Sequence, residues 1–250
     1  MSGHSKWKTN KGKKAVADAK KGAAYTKVIK EITIAAREGG GSVDTNPKLR
    51  TVIARAKEIN MPQDNVKQAI LRGTGELPGV VYETVRYEGF APGGVALLIE
   101  AITDNKNRTA AEIRNIVTKK NGNLGGSVAW MFTMKGHLTV DKSLAKEEDL
   151  MNIVLEAGAD DLKTDGKLYE IFTTPQAFEA VKAALAEKGI KTEEAEVTMI
   201  PSSTVQPSLS DAKQIIALLD ALDEHDDVQD VYDNAEIPDE MMEQIVPSEE

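Results

Sequence analysis

The apolar positions change period along the chain, and each change predicts a different kind of element. Tyr25, Val28, Ile29, Ile32 and Ala36 fall at i, i+3, i+4, i+7 and i+11, one stripe on a helix that should end at Gly39-Gly40-Gly41. Asn46 and Pro47 offer a cap and a first-turn proline to a second helix with Leu49, Val52, Ile53 and Ala56 inward. A third starts near Pro62, buries Val66, Ala69 and Ile70, and meets a candidate left-handed stop at Gly73. Helices this short must pack on one another. Residues 22–75 therefore read as a helical unit behind a leading arm, residues 1–21, that has no apolar stripe.

From Val81 the period falls to two. Val81, Val85 and Tyr87 alternate with polar neighbours until GFAPGG, which should break the strand and turn a hairpin into the more apolar residues 95–102. After Asp104-Asn105 a helix carries Ala110, Ile113 and Val117 inward and stops at Asn121-Gly122, and residues 127–132 read as a further strand. Residues 137–200 then alternate: HLTV strand, EDLMNIVLEA helix, KLYEIFTT strand, PQAFEAVKAALAEKG helix, AEVTMI strand. Thr174 should cap the second of these helices, with Pro175 in its first turn and Gly189 at its end. PSSTVQPS reads as a connection. The helix DAKQIIALLDALDE and strand VQDVYD that follow cannot form a core alone, so they should complete the earlier sheet across the insertion.

The expected fold class is α+β: an N-terminal three-helix domain plus two small two-layer α/β domains, the third inserted into the second. The expected boundaries are 1–76 for the basic arm and helical domain, 77–134 with 205–240 for the discontinuous second domain, 135–204 for the inserted acidic third domain, and 241–250 for an acidic tail.

Charge changes this picture most. The whole chain carries a formal net charge of -9, yet residues 1–75 hold 16 Lys and Arg against 6 Asp and Glu, and residues 137–250 hold 8 against 28. Residues 4–14, HSKWKTNKGKK, contain five lysines, a tryptophan and no acid. Such a density of like charge repels itself and holds the segment extended until a polyanion neutralises it. Trp7 has no core to enter there, and a base would give its face a partner. The bland alternative is a solubilising tail with the tryptophan folded back on the helices. The candidate nucleic-acid-binding residues are Lys6, Trp7, Lys8, Lys11, Lys13, Lys14, Lys20, Lys21, Tyr25 and Lys27. Asn107 and Arg108 join them from DNKNRT, where a helix N-terminus favours an anion. Arg108 shows no structural need for its guanidinium in the sequence, so its removal should cost little stability. The acidic end, repelled by the same polyanion, would orient binding and offers a surface to a basic protein partner.

Catalytic parts are scarce. There are no cysteines, and His4, His137 and His225 form no HExxH spacing; no P-loop, GxSxG or GxGxxG opens a helix after a strand. No catalytic residue, cofactor or metal ligand is nominated. The run Asp223, Glu224, His225, Asp226 and Asp227 has oxygen ligands for a divalent cation, but a solvated turn is the expectation there, as it is for Asp160-Asp161. The GFAPGG loop reads as a hairpin turn rather than a phosphate cradle. No apolar run is long enough to span a bilayer and no secretory signal opens the chain, so the expected address is the cytoplasm, with no membrane partner.

Seven segments carry a resemblance. GHSKW at 3–7, YEGFAPGG at 87–94, DNKNRT at 104–109, GNLG at 122–125, GSVAW at 126–130, EAGADD at 156–161 and DDVQDVYDN at 226–234 together resemble the YebC family, in order and over nearly the whole chain. Between GNLG and GSVAW the chain is about two residues shorter than the family pattern, which shortens that loop. The resemblance implies a helical N-terminal domain and two α/β domains, the third inserted into the second. It also implies a regulator of gene expression: bacterial members are probable transcriptional regulators that bind DNA, and other members act in translation, at the ribosome on stalled elongation. The expected function is a non-enzymatic nucleic-acid-binding regulator with DNA as its target. A factor for ribosomal RNA and the ribosome is the alternative, since a lysine arm neutralises both polymers. A metal-dependent hydrolase ranks third.

Overall fold

The stripe that begins at Tyr25 lies on α1 (Asp18–Gly39), the first element of a computed structural model that describes residues 18–245. Those residues form two units, 18–127 with 208–231 and 128–207 with 232–245. In the first, α1 packs on α2 (Pro47–Glu58) and α3 (Gln63–Gly73) around Val28, Ile32, Leu49, Val52, Ala56, Val66 and Ala69. Asn46 ties the turn down from both ends. Its Oδ1 accepts from the Leu49 amide at 3.0 Å, and its Nδ2 donates to the Ala35 and Gly40 carbonyls at 2.8 Å. Gly73 is still helical, and the left-handed residue is Gly75 (φ 82°). Gly73 is needed for a different reason: a Cβ there would stand 2.4 Å from the Thr33 carbonyl oxygen of α1, so it permits the α1–α3 contact.

The same unit holds a sheet of order β3-β1-β2-β8. The strand β1 (Glu83–Ala91) runs through Gly89 and Phe90 rather than breaking there, and pairs with β2 (Val95–Thr103) in a register that sets Ala91 opposite Val95. The break comes at the turn Pro92–Gly94. Gly89 stays in the strand because the two-residue β3 (Asn123–Leu124) crosses it closely: a Cβ would meet the Asn123 carbonyl oxygen at 2.3 Å. The helix α4 (Lys106–Lys119) buries Thr109, Ile113 and Val117. α7 (Leu209–Asp223), capped by Ser208, buries Ala212, Ile215, Ile216, Leu218, Leu219 and Leu222, and it packs on α4. β8 (Val228–Asp233) joins the sheet beside β2.

The second sheet has the order β5-β6-β4-β7, antiparallel throughout. It comprises β4 (Phe132–Asp141), β5 (Ala159–Asp165), β6 (Leu168–Thr173) and β7 (Thr192–Pro201). The helices α5 (Glu147–Glu156) and α6 (Phe178–Glu187) cover one face over a core that includes Leu138, Val140, Leu150, Val154, Ile171, Val181 and Leu185. Four expectations change here. The strand expected over residues 127–132 starts only at the last of them, because the Met131 amide bonds back to the Val128 carbonyl and closes a 3-10 turn, after which β4 begins at Phe132. Asp160 and Asp161 lie within β5, not in a turn. Thr174 accepts from the Ala177 amide at 3.2 Å, so it caps the turn that precedes α6 rather than the helix itself. The tail begins with a short helix, α8 (Asp239–Ile245). Among the described residues no helix is long and apolar enough to cross a membrane.

Candidate nucleic-acid interface

Helical spacing brings Lys27 and Lys30, at i and i+3 on α1, to the corner where α7 ends and β8 begins. Lys27 Nζ donates to the Asp223 carbonyl at 2.6 Å. That places a cation at the negative end of the α7 dipole. Lys30 Nζ donates to the Asp226 carbonyl at 2.8 Å and to Asp227 Oδ1 at 2.6 Å. The side chains of this second pair are 7% and 6% exposed, so it is a buried ion pair. The other carboxylate oxygen of Asp227 accepts from Thr109 Oγ1 at 2.6 Å and from Arg108 Nη2 at 2.8 Å. Arg108 also reaches Asp104 Oδ1 at 2.9 Å. His225 Nδ1 accepts from the Asp227 amide at 3.1 Å, so its Nε2 carries the proton shared with Glu112, also at 3.1 Å.

Burial pushes the Asp227 carboxyl up, but the hydrogen bonds from Lys30, Thr109 and Arg108 outweigh it and hold the group well below the usual carboxylate range. Hydrogen bonds to Asp227 and Asp104 raise the Arg108 pKa further above its already basic value. The turn at 223–227, expected to be solvated, is instead anchored to α1 and α4. A pH dependence follows from the depressed carboxyl. In acid the unfolded chain binds a proton at Asp227 that the folded chain refuses, so the stabilisation is complete above about pH 5 and is lost as pH falls below about 4. Asp227→Asn should lower stability at neutral pH and flatten the acid limb of a urea-midpoint profile; an unchanged acid limb would remove Asp227 from the set of groups responsible.

Several nominated residues therefore have structural work. Arg108, expected to lack any structural need, bridges two carboxylates. Lys27 is engaged at the α7 terminus, and the Tyr25 hydroxyl donates to the Asn60 carbonyl at 2.9 Å, tying α1 to the end of α2. The α4 N-terminus is already capped, since Asn105 Oδ1 accepts from the Arg108 amide at 3.1 Å. Asn107 is exposed on the outward stripe it shares with Ala111, Arg114 and Thr118. Lys20 and Lys21 belong to the first turns of α1, their side chains outside the described ones; Lys6, Trp7, Lys8, Lys11, Lys13 and Lys14 lie outside the described residues.

Most of the remaining cations of the helical region are engaged as well, Arg72 among them through Gln68 at 3.4 Å. Arg37 bonds to the Tyr82 carbonyl, Lys48 to Glu38, Arg50 to the Val43 and Asp44 carbonyls, and Arg55 to Glu31. Exposed Lys57 and Lys67 have no hydrogen-bond or ion-pair partner among the described residues. Sequence reasoning missed Lys30, Thr109 and Asp227. Thr109 was at hand in DNKNRT, but nothing local links Lys30 to a carboxylate 197 positions away.

A family model described as "TACO1/YebC protein N-terminal domain" matches residues 5–76, and one described as "TACO1/YebC second and third domain" matches residues 82–235. A "Probable transcriptional regulatory protein" of Desulforapulum autotrophicum is 54% identical over 243 residues, covering 96% of this chain and 98% of its own. Another protein of that name, from Dictyoglomus turgidum, is 52% identical over 98% of this chain and all of its own. The crystal structure of a conserved hypothetical protein from Aquifex aeolicus superposes with a TM-score of 0.76 at 45% identity, over 91% of this chain and 95% of that one. With two family models covering most of its length and relatives matched nearly end to end, the chain belongs to the TACO1/YebC family.

Proposed function

We propose that the chain is a non-enzymatic, nucleic-acid-binding regulator of gene expression that engages its target through the lysine-rich first 21 residues. One observation carries this reading. Most cations of the helical region are engaged internally, Lys27 and Lys30 included, whereas residues 1–21 hold seven lysines against the single acid Asp18. The excess positive charge therefore concentrates in the arm, and phosphate is the partner that such a segment neutralises. The name carried by the relatives, "Probable transcriptional regulatory protein", supports a regulatory role and favours DNA as the target.

The same arm chemistry fits ribosomal RNA. Sedimenting a cell lysate on a sucrose gradient separates the two targets. Retention on promoter fragments with no ribosomal peak agrees with DNA, while comigration with ribosomes that is lost at high salt would move the protein to translation.

The acidic unit should take no part in binding. Residues 128–207 carry 8 lysines against 14 acids, a balance that repels a polyanion. We expect a fragment spanning these residues to leave both duplex DNA and RNA unretarded in a gel-shift titration at concentrations where the whole chain binds. Affinity comparable with the whole chain would refute the division of labour.

A further inference from the structure

The sheet built from β4, β5, β6 and β7 has a second face. Its register sets His137 opposite Phe172 and Glu196, and Thr139 opposite Glu170 and Glu194, so these side chains share the side away from Leu138, Val140 and Ile171, where α5 and α6 lie. An antiparallel sheet with helices on one side commonly leaves the other side wet. This one does not. His137 is 2% exposed and Glu170 4%, with Thr139 and Phe172 buried beside them. Yet the hydrogen bonds, ion pairs and ring contacts of His137, Thr139 and Phe172 among the described residues stay within the sheet. The described tail is tied instead to residues 203–205, past the end of β7, where Asn234 Nδ2 donates to the Ser203 carbonyl at 3.1 Å and the Glu236 amide to the Val205 carbonyl at 2.9 Å.

The buried face is chemically specific. Burial pushes the Glu170 carboxyl up, but the His137 hydrogen bond and neighbouring positive charge hold it below the usual carboxylate range. A carboxylate kept ionised out of water calls for a cation. Lys163, opposite it in β5, is turned elsewhere, its Nζ over the Phe172 ring at 5.3 Å and 3.8 Å from Asp161. His137 Nε2 faces Glu170 at 3.4 Å, while its buried Nδ1 has no hydrogen-bond partner among the described residues, a state that native interiors rarely leave unexplained. With Glu194 and Glu196 alongside, the face suits a segment that brings positive charge and N–H donors.

Two stretches of chain lie outside the described residues, 1–17 and 246–250. Residues 246–250, VPSEE, carry two more acids and are repelled by this face. Residues 1–6, MSGHSK, carry a lysine and no acid, and Ser2, Gly3 and Ser5 are small enough to let an extended backbone lie close. Six extended residues span about 20 Å, enough to cross four strands spaced about 4.8 Å apart.

We propose that residues 1–6 dock in extended form on this face of the second sheet, with a cation of the segment on Glu170 and a backbone N–H on His137 Nδ1, anchoring the front of the arm to the acidic unit. The six lysines from Lys8 to Lys21 stay available to phosphate, so the docking and the nucleic-acid reading stand or fall separately.

Reaction of His137 with diethyl pyrocarbonate, located by mass spectrometry, reads the cover. His137 should react slowly in the full chain and at least about tenfold faster in a chain lacking residues 1–6. The peptide MSGHSK should restore protection to the shortened chain saturably, and the peptide VPSEE should not. Glu170→Gln in the shortened chain should weaken binding of MSGHSK at least about tenfold. If circular dichroism shows the shortened chain unfolded, Glu170→Gln in the full chain carries the test, since loosening the segment should speed the reaction at His137 and an unchanged rate overturns the proposal. It falls as well if His137 stays protected in a folded chain without residues 1–6, or if removing residues 246–250 exposes it instead. Loss of protection on dilution of the full chain would make a second copy the cover, and equal protection of the Glu170→Gln variant by MSGHSK would remove Glu170 from the site; either result overturns the proposal.

Discussion

Replacing Asp227 by alanine is expected to cost about 3–5 kcal/mol of folding stability, the range for breaking a buried ion pair from one side. The loss is large because of what stays behind. The Lys30 ammonium would remain buried with the Asp226 carbonyl as its one acceptor among the described residues, and Thr109 and Arg108 would each lose a charged acceptor. Lys30→Met should cost less, about 1–3 kcal/mol, because Asp227 would keep the bonds from Arg108 and Thr109. Arg108→Ala should be milder still, since that side chain is 43% exposed and solvent can replace its contacts. A double replacement, Lys30→Met with Asp227→Leu, should recover most of the loss by exchanging the ion pair for apolar contact. Urea midpoints followed by far-UV circular dichroism measure all four variants. An Asp227→Ala loss below about 1 kcal/mol, or a larger loss for Lys30→Met, would contradict the view of Asp227 as the hub.

The helical region was the most legible part of the sequence because its signals are local. Asn46, Pro47 and the stripe from Leu49 to Ala56 carry their own start signal and inward face, and α2 forms where they predict it. The elements that escaped notice take their identity from neighbours. β3 is two residues long and exists because Gly89 lets it approach β1. β5 lies at a sheet edge and buries one side chain, Leu162, so its alternation is almost silent in ADDLKTD. Site chemistry was harder to read for a similar reason. A lysine in the sequence looks the same whether it waits for phosphate or for a carboxylate 197 residues away, so Lys27 reads as a phosphate contact and nothing singles out Lys30. Arg108 was drawn to attention by its place at a helix start, but its partner Asp227 comes from the far side of the insertion.

The second large effect concerns binding. Deleting residues 1–21 is expected to weaken duplex DNA binding by at least about a hundredfold near 0.1 M salt, because it removes seven of the chain's lysines in one stretch and with them the counterion release that drives association. The helical region should stay folded. Its core runs from Val28 to Ala69, and the Asn46 cap and the Lys30–Asp227 pair all lie beyond the deletion. Trp7→Ala should act by a separate route, costing about 1–3 kcal/mol of affinity if the indole stacks on a base. It carries no charge, so the salt dependence should hardly change. A truncated protein that binds as well as the whole chain would reduce the arm to a solubilising tail.

The salt dependence of binding, measured for the whole chain and for the chain lacking residues 1–21, tests the central claim most directly. If about six arm lysines meet phosphates, the logarithm of the binding constant should fall against the logarithm of salt concentration with a slope of roughly -5 on duplex DNA and roughly -4 on single strands. The truncated chain should give a slope close to zero. Equal slopes and equal affinities for the two proteins would contradict the account and return the interface to the folded units.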